Sequence, residues 1–583
     1  MSRSSLLLGC SAILLTSAAP PPLPAASHGT HQDRRSPVRC TPREREAYRM
    51  HSQGQARGLQ RLPAAPMPMM MAPPAPPAPS VVMSAPLPMA TRAPGATASN
   101  FIGKATPEYG ARDNTERYDG KAVASILTVA DQPVSTFSVD VDTGAYANVR
   151  RMLTQGLNVP GEAVRTEEMI NYFRYDYPRP ADSEAPFSVT TDVSTTPWNP
   201  DTRLMRIGLR GYDVAASGRP AANLVFLVDV SGSMDEDSKL PLVKKSLSML
   251  ADRIGPNDRV SIVAYSGNVS TVLEPTSNKN YIRQALDCLS AGGSTAGGEA
   301  MKIAYGIARA NFIKGGVNRI LMATDGDFNV GVSDNKALID MVKRERDSGI
   351  TLTTLGFGMG NYNEAMMEQV ADAGNGNYAY IDSVMEAQKV LDEELSATLL
   401  TIAKDVKVQV EFNPSQVKQY RLIGYENRAL AEEDFANDTV DAGDIGAGHQ
   451  VTALYEIVPA SGAGWLPERR YEGNQQPAAA NTGGELAFVK LRYKLPGQTA
   501  SKLIERPVPA ALIASARAPQ GDMAFITAVA AFGQKLRGDK YLGGFGYAQI
   551  AALAPSSSNY WRSEFGKLVQ LAESGQPRHA SRD

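Results

Sequence analysis

Cysteine and histidine are scarce, and their scarcity removes whole classes of function. Three cysteines in 583 residues exclude a disulfide scaffold. Of five histidines, His28, His31 and His51 lie near the N-terminus and His579 in the tail, leaving His449 alone for a folded middle. Chemistry that needs a histidine pair, including most zinc sites, therefore lacks its residues. Charge of one sign is lacking as well: 59 Lys and Arg face 61 Asp and Glu, a net charge of −2. A protein that coats nucleic acid would carry a basic excess. The longest apolar stretch, Leu6–Leu15, is interrupted and falls short of the ~20 residues that span a bilayer. No phosphate loop of the form Gly-x-x-x-x-Gly-Lys-Ser/Thr occurs, and nothing else points to a small-molecule cofactor. What remains is ample for folding: 43% hydrophobic residues, and a length that at roughly 100–200 residues per domain suggests three or four domains.

The N-terminus reads as an export signal over residues 1–26. Arg3 supplies positive charge, Leu6 to Leu15 are mostly apolar, and small residues follow at Ala18, Ala19, Ala25 and Ala26. Leu7-Leu8-Gly9-Cys10 has the form of a bacterial lipoprotein box. A lipid anchor at Cys10 is the single membrane attachment to weigh, and the short apolar stretch before Cys10 disfavours it. Residues 27–110 are rich in Pro, Ala and Met, as in PMPMMMAPPAPPAP from Pro66 to Pro79. Such a composition buries too little apolar surface to offset chain entropy, so a disordered linker is expected. Met67, Met69, Met70 and Met71 offer thioethers to Cu(I), but a tether accounts for the same composition more simply.

Residues 219–399 alternate strand and helix. Leu224–Val228 is a continuous apolar run, as in a strand buried on both faces of a parallel sheet. Val260–Tyr265, Ile320–Thr324, Leu352–Phe357 and Tyr378–Ile381 are further strands, and Leu240, Val243, Leu247, Leu250 and Ile254 recur at helix spacing, as do Ala300, Ile303, Ala304 and Ile307. The expected fold is α/β, a doubly wound and mainly parallel sheet, in which ligands sit beyond the C-terminal strand ends. At those ends stand Asp229-Val-Ser231-Gly-Ser233, the loop Gly292-Gly-Ser-Thr295-Ala-Gly-Gly298, and Asp325-Gly-Asp327. All supply oxygen, which suits a hard cation such as Mg²⁺ with six ligands at about 2.0–2.1 Å. Mn²⁺ accepts the same set. Asp235, Glu236 and Asp237 are read as acids ahead of a helix, and Gly356-Phe-Gly358-Met-Gly360 as a tight strand-to-helix turn.

With those residues in that order, the segment resembles the von Willebrand factor type A domain. The resemblance implies a Rossmann-like fold and a metal-ion-dependent adhesion site. Its ligands would be Asp229, Ser231, Ser233, Thr295 and Asp325, binding an Asp or Glu carboxylate of a partner protein.

The flanks are β-rich. Before the central segment, over 111–218, Phe137, Val139 and Val141 alternate with Ser138, Asp140 and Asp142, which reads as a strand whose acids share a face. Helices are expected at Ala145–Thr154 and Ala163–Phe173, and strands around Phe187–Val193 and Met205–Leu209. After it, over 400–505, strand alternation returns at Val406–Phe412, Val451–Ile457 and Ala487–Tyr493. One β-sandwich with the central domain inserted is the expectation. Residues 506–583 turn helical, with Phe525, Val529, Phe532 and Leu536 on one face, then helices near Gly546–Leu553 and Tyr560–Glu573. TFSVDVDTGAYANVRRML (Thr136 to Leu153), EEMINYFRYDYP (Glu167 to Pro178), PWNP (Pro197 to Pro200) and DMAFITAVAAFGQKLRG (Asp522 to Gly538) resemble the flanks of a group of exported bacterial A-domain proteins. Cys288 is expected to pack as a buried thiol, and Cys40 to lie free in the linker.

These readings favour a non-enzymatic, Mg²⁺-dependent protein-binding module of the bacterial cell envelope or periplasm. Two alternatives stand beside it. One is an envelope phosphatase or hydrolase using Asp140 and Asp142 or the central metal. The other is an assembly factor for a complex driven by a separate ATPase.

Overall fold

The structure, a computed structural model, describes residues 38–39, 115–180, 185–214, 219–294, 297–326, 335–394, 400–467 and 484–575. The export signal, Cys10, Cys40, the Met67–Met71 cluster, and all of the 27–110 linker except Val38 and Arg39 lie outside the described residues.

The described chain begins with β1 (Leu127–Thr128), β2 (Val134–Ser138), α1 (Gly144–Thr154), α2 (Thr166–Asn171), β3 (Phe187–Thr196) and β4 (Asn199–Gly211). The central segment follows as β5 (Ala222–Asp229), α3 (Leu240–Ala251), β6 (Arg259–Tyr265), β7 (Val269–Thr276), α4 (Lys279–Cys288), α5 (Gly297–Ala310), β8 (Val317–Thr324), α6 (Asn335–Asp347), β9 (Thr351–Phe357), α7 (Glu364–Ala373), β10 (Tyr378–Ile381) and α8 (Val384–Gln388). Its sheet has the order β10-β9-β8-β5-β6-β7, parallel except for β7 at one edge. Every residue of β5 is buried, and the pleat divides its side chains between two cores. Leu224, Phe226 and Val228 meet Val243, Leu247 and Leu286 from α3 and α4. Val225 and Leu227 meet Met301, Leu338 and Val370 from α5, α6 and α7. An unbroken apolar strand is what two covered faces require.

After α8 the chain forms β11 (Thr401–Phe412), β12 (Val417–Ile423), β13 (Ala429–Leu430), β14 (Ile445–Gly446), β15 (Gln450–Pro459), β16 (Glu485–Lys494) and β17 (Ser501–Pro509). Two sheets result, β1-β12-β15-β4-β3 and β13-β2-β11-β16-β17, with β14 on β11. Each mixes strands from before and after the central segment. Met205 of β4 pairs with Tyr455 of β15, and Phe137 of β2 pairs with Val408 of β11. All four side chains share one core, so the central domain is inserted in a β-sandwich, as expected.

After β17 come α9 (Ala511–Ala514), α10 (Gly521–Arg537), α11 (Tyr547–Leu553) and α12 (Tyr560–Gly575), the last described elements. These do not form a core of their own. Phe525, Phe532 and Phe565 pack with Tyr146, Met169 and Phe173 from the α1–α2 region, more than three hundred residues earlier. Arg150 of α1 reinforces the junction, pairing with Asp382 at 2.6 Å, Glu386 at 2.7 Å and Glu564 at 3.0 Å.

Several expectations shift. β2 ends at Ser138, so Asp140 and Asp142 stand in the loop that leads to α1. The helix expected at Ala163–Phe173 is a short turn at Gly161–Ala163 followed by α2. β7, β12 and β17 had no clear alternation; β12 carries the buried polar residues Gln419 and Arg421. Val38, inside the expected linker, is buried and bridges Leu273 of β7, and the Arg39 amide donates to the Val272 carbonyl at 3.0 Å. Cys288 is half-buried and disulfide-bonded rather than a packed thiol. Composition does not encode the return of Val38 to this sheet edge, beside α4.

Arg421 ties the sandwich to α10. It is almost fully buried and meets Glu456 at 2.8 Å, Asp539 at 2.7 Å and the Gln534 side-chain oxygen at 2.6 Å. Removing one member of a buried network leaves the others charged and unpaired. Arg421→Met is expected to cost roughly 3–5 kcal/mol, read as a lowered urea midpoint, and adding Glu456→Gln should recover part of that loss.

Candidate functional site

The rim at the C-terminal ends of β5 and β8 brings Asp229, Ser231, Ser233 and Asp325 together. β5 and β8 are parallel neighbours, with Val228 beside Ala323, so each strand delivers one aspartate as it ends. Asp229 is fully buried and held at both oxygens. Its Oδ1 accepts from the Ser231 amide at 2.9 Å, and its Oδ2 accepts from the Thr324 hydroxyl at 2.9 Å. Burial pushes its carboxyl up to about 6, opposed by the Ser231 amide and reinforced by the charge of Asp325. A short turn at Gly232–Asp235 then folds Ser233 back, so that its Oγ lies 3.0 Å from that of Ser231.

The glycine-rich loop is stitched to the same turn. The Gly292 amide donates to the Val230 carbonyl at 2.8 Å, and the Gly232 amide to the Gly293 carbonyl at 2.9 Å. Gly293 has φ +87°, and a Cβ there would approach Ser266 Oγ to 3.2 Å. Thr295, two residues on, lies outside the described residues. Across the rim Asp325 is fully buried, and its Oδ2 accepts from Lys239 Nζ at 3.0 Å and Asn361 Nδ2 at 3.1 Å.

The donors fit a hard divalent cation. With bonds of about 2.0–2.1 Å, oxygens on adjacent corners of a Mg²⁺ octahedron lie about 3 Å apart. The two serine hydroxyls, hydrogen-bonded to each other at 3.0 Å, already lie at that spacing. Among the described residues no group of three or more His, Cys, Asp or Glu is arranged to hold a metal, so a cation at this rim depends on hydroxyls beside its two carboxylates. Asp235, Glu236 and Asp237 are exposed and precede α3, apart from this donor set.

Comparison with known proteins agrees with this architecture. Residues 223–394 match the von Willebrand factor type A domain, and residues 112–206 match a segment described as von Willebrand factor. Residues 397–574 match the C-terminal domain of the uncharacterized protein YfbK. The YfbK protein of Escherichia coli (strain K12) is 45% identical over 482 residues, covering 81% of this chain and 83% of its own length. The chain belongs to the YfbK family of A-domain proteins. An uncharacterized Synechocystis protein, sll0103, is 32% identical over 187 residues, covering 32% of this chain and 43% of its own. A solved von Willebrand factor type A protein from Catenulispora acidiphila is 16% identical, covers 68% of this chain and 90% of its own, and has a TM-score of 0.37. For the YfbK-family chain the A domain points to a protein-interaction module, the typically non-enzymatic role of such domains.

Sequence reasoning did not single out Lys239, Thr324, Asn361 or Tyr265. Thr324 immediately precedes Asp325 and Asn361 follows the Gly356–Gly360 turn, so adjacency was the available signal. Tyr265 ends β6, and burial together with the Asp229 charge pushes its phenol well up.

Asp140 and Asp142 are buried, and Arg428 donates to both, at 3.2 and 3.0 Å. Asp142 also accepts from the Tyr378 amide at 2.8 Å. In this YfbK-family chain they therefore join the sandwich to β10, and no open face presents them to a substrate. The seam continues through Arg165, which pairs with Glu368 and approaches Glu168 at 3.5 Å and Glu364 at 3.8 Å. Burial holds the Glu364 carboxyl up at about 7 from its ordinary 4.5, raised further by Glu368 and Glu116 against the pull of Arg165 and the Tyr378 hydroxyl. A raised folded-state value favours the folded protein fully below the unfolded value, and that advantage is lost as pH climbs through about 7. Stability is thus expected to fall between pH 5 and 8. Glu364→Gln should flatten the decline and stabilise the protein at pH 8 by roughly 1–3 kcal/mol, as read by urea unfolding at the two pH values.

Proposed function

We propose that the A domain captures a carboxylate of a partner protein through a divalent cation, Mg²⁺ or Mn²⁺, held by Asp229, Ser231, Ser233, Thr295 and Asp325. The observation that carries this reading is the convergence of two carboxylates and two hydroxyls on one rim, with the serine oxygens at octahedral spacing. When bound, the cation supplies a coordination position for an anionic oxygen. The chain's own residues set the terms of that contact. Ser231 and Ser233 donate oxygen without charge, so two carboxylates alone offset the ion. The Ser231 amide and the Thr324 hydroxyl fix the orientation of Asp229 before any ligand arrives. Among the described residues the one histidine, His449, is buried just before β15 in the sandwich, so no described imidazole stands at the rim. Binding suits this chemistry better than hydrolysis.

The setting proposed is the bacterial cell envelope, after export. The charged, apolar and small-residue pattern of residues 1–26 supports it. The disulfide at Cys288 supports it too, since disulfides persist in oxidising compartments.

The test is capture from envelope extract by the full chain in Mg²⁺, in EDTA, and in Mg²⁺ with Asp229→Ala. A protein retained by the wild type in Mg²⁺ and lost from both other samples is the expected result, with the far-UV spectrum of the variant unchanged. The same proteins in all three samples would remove the cation from the mechanism.

A further inference from the structure

The rim contains a charge that oxygen-ligand counting leaves out. Lys239 immediately precedes α3, and its side chain is 2% exposed. Its ammonium donates to Asp325 Oδ2 at 3.0 Å and to Asn361 Oδ1 at 3.1 Å, while Asn361 Nδ2 donates to the same Asp325 oxygen at 3.1 Å. The lysine is therefore not a solvated surface charge that happens to drift near an acid. Its stem runs across Gly358, where a Cβ would lie 2.3 Å from the lysine Cε, 2.4 Å from Cγ and 2.7 Å from Cδ. Gly358 has φ +77°, and its carbonyl accepts from the buried Tyr380 hydroxyl. The turn after β9 is thus shaped so that an ammonium reaches Asp325 under cover.

We infer that Lys239 sets the net charge of the rim so that the cation and a carboxylate ligand are held strongly only together. The inference rests on the proposed cation site and names how that site is regulated. Among the described residues Asp229 and Asp325 bring two buried negative charges to the rim, and Lys239 offsets one. A divalent cation then leaves the rim with an excess positive charge, where without the lysine it would be neutral. Repulsion from the ammonium weakens the cation alone. The same excess attracts an anionic oxygen, whose arrival relieves the repulsion. In a buried site these effects are weakly screened. Affinity for the metal is given up, and a carboxylate partner becomes the condition for retaining it.

The probe is Mn²⁺, followed by its EPR signal and by water-proton relaxation in the full chain, with and without glutarate. Wild type, Lys239→Met, Lys239→Gln, Lys239→Arg and Asp229→Ala are compared. Loss of the charge in Lys239→Met should tighten Mn²⁺ binding without glutarate on the order of tenfold or more, and should shrink the gain in Mn²⁺ affinity that glutarate produces in the wild type. Lys239→Gln, which keeps a donor for Asp325, should behave like Lys239→Met and serves if the methionine variant does not fold. Lys239→Arg should track the wild type. Mn²⁺ binding that Asp229→Ala abolishes but that differs by less than twofold between wild type and both neutral variants would overturn the role of Lys239 and leave the cation site standing. No Asp229-dependent binding in wild type or the neutral variants would overturn both.

Discussion

Two carboxylates buried at the ends of adjacent parallel strands are the constraint around which the central domain is arranged. A buried aspartate without partners is costly, and each of this pair is satisfied by a different device. Asp229 is held by the first amide of its own turn and by the last residue of β8. Asp325 is held by an ammonium and an amide that arrive from α3 and from the turn after β9. The loops of this rim are therefore fixed by the acids they serve. The register of β5 on β8 decides that the two acids are neighbours.

Around that centre the molecule is assembled by interleaving. The central domain interrupts a sandwich whose sheets both need strands from each side of the insertion. The helices before the insertion share a core with those at the C-terminal end. Arginines sit where these parts meet: Arg150 between α1, the end of the central domain and α12, Arg421 between β12 and α10, and Arg428 between the sandwich and α7. Each planar guanidinium can bridge several carboxylates at once, and each is buried or nearly so. Such pairs contribute little net stability against apolar alternatives, yet are costly to break. Their physical effect is to fix one arrangement of three regions. Burial, reinforced by neighbouring carboxylates, holds Glu167 up at about 7 and Asp372 at about 6.

Much of this was legible in the residues. β5 announced itself as an apolar run because helices cover both its faces. The helical face of α10 was visible at Phe525, Val529 and Phe532, all of them buried. Where alternation failed, the cause was a partner from elsewhere in the chain. β12 carries Arg421 and Gln419 inward to partners far along the chain, and β7 is an edge strand whose neighbour is in part the returning Val38. Asp140 and Asp142 read as acids sharing one strand face, but they lie in a loop buried against Arg428, a partner that alternation does not record.

By itself the sequence determined the class of the fold, the order of the rim residues and the oxygen chemistry they share, because hydrophobic period and residue type are local properties. Tertiary structure alone decided that the ends of β5 and β8 bring Asp229 and Asp325 to one rim, that Lys239 reaches Asp325 across Gly358, and that the two helical regions share a core. Those facts depend on which distant segments come into contact. Such contacts are set by summed burial and by partner-finding among buried charges, over separations that no local pattern records.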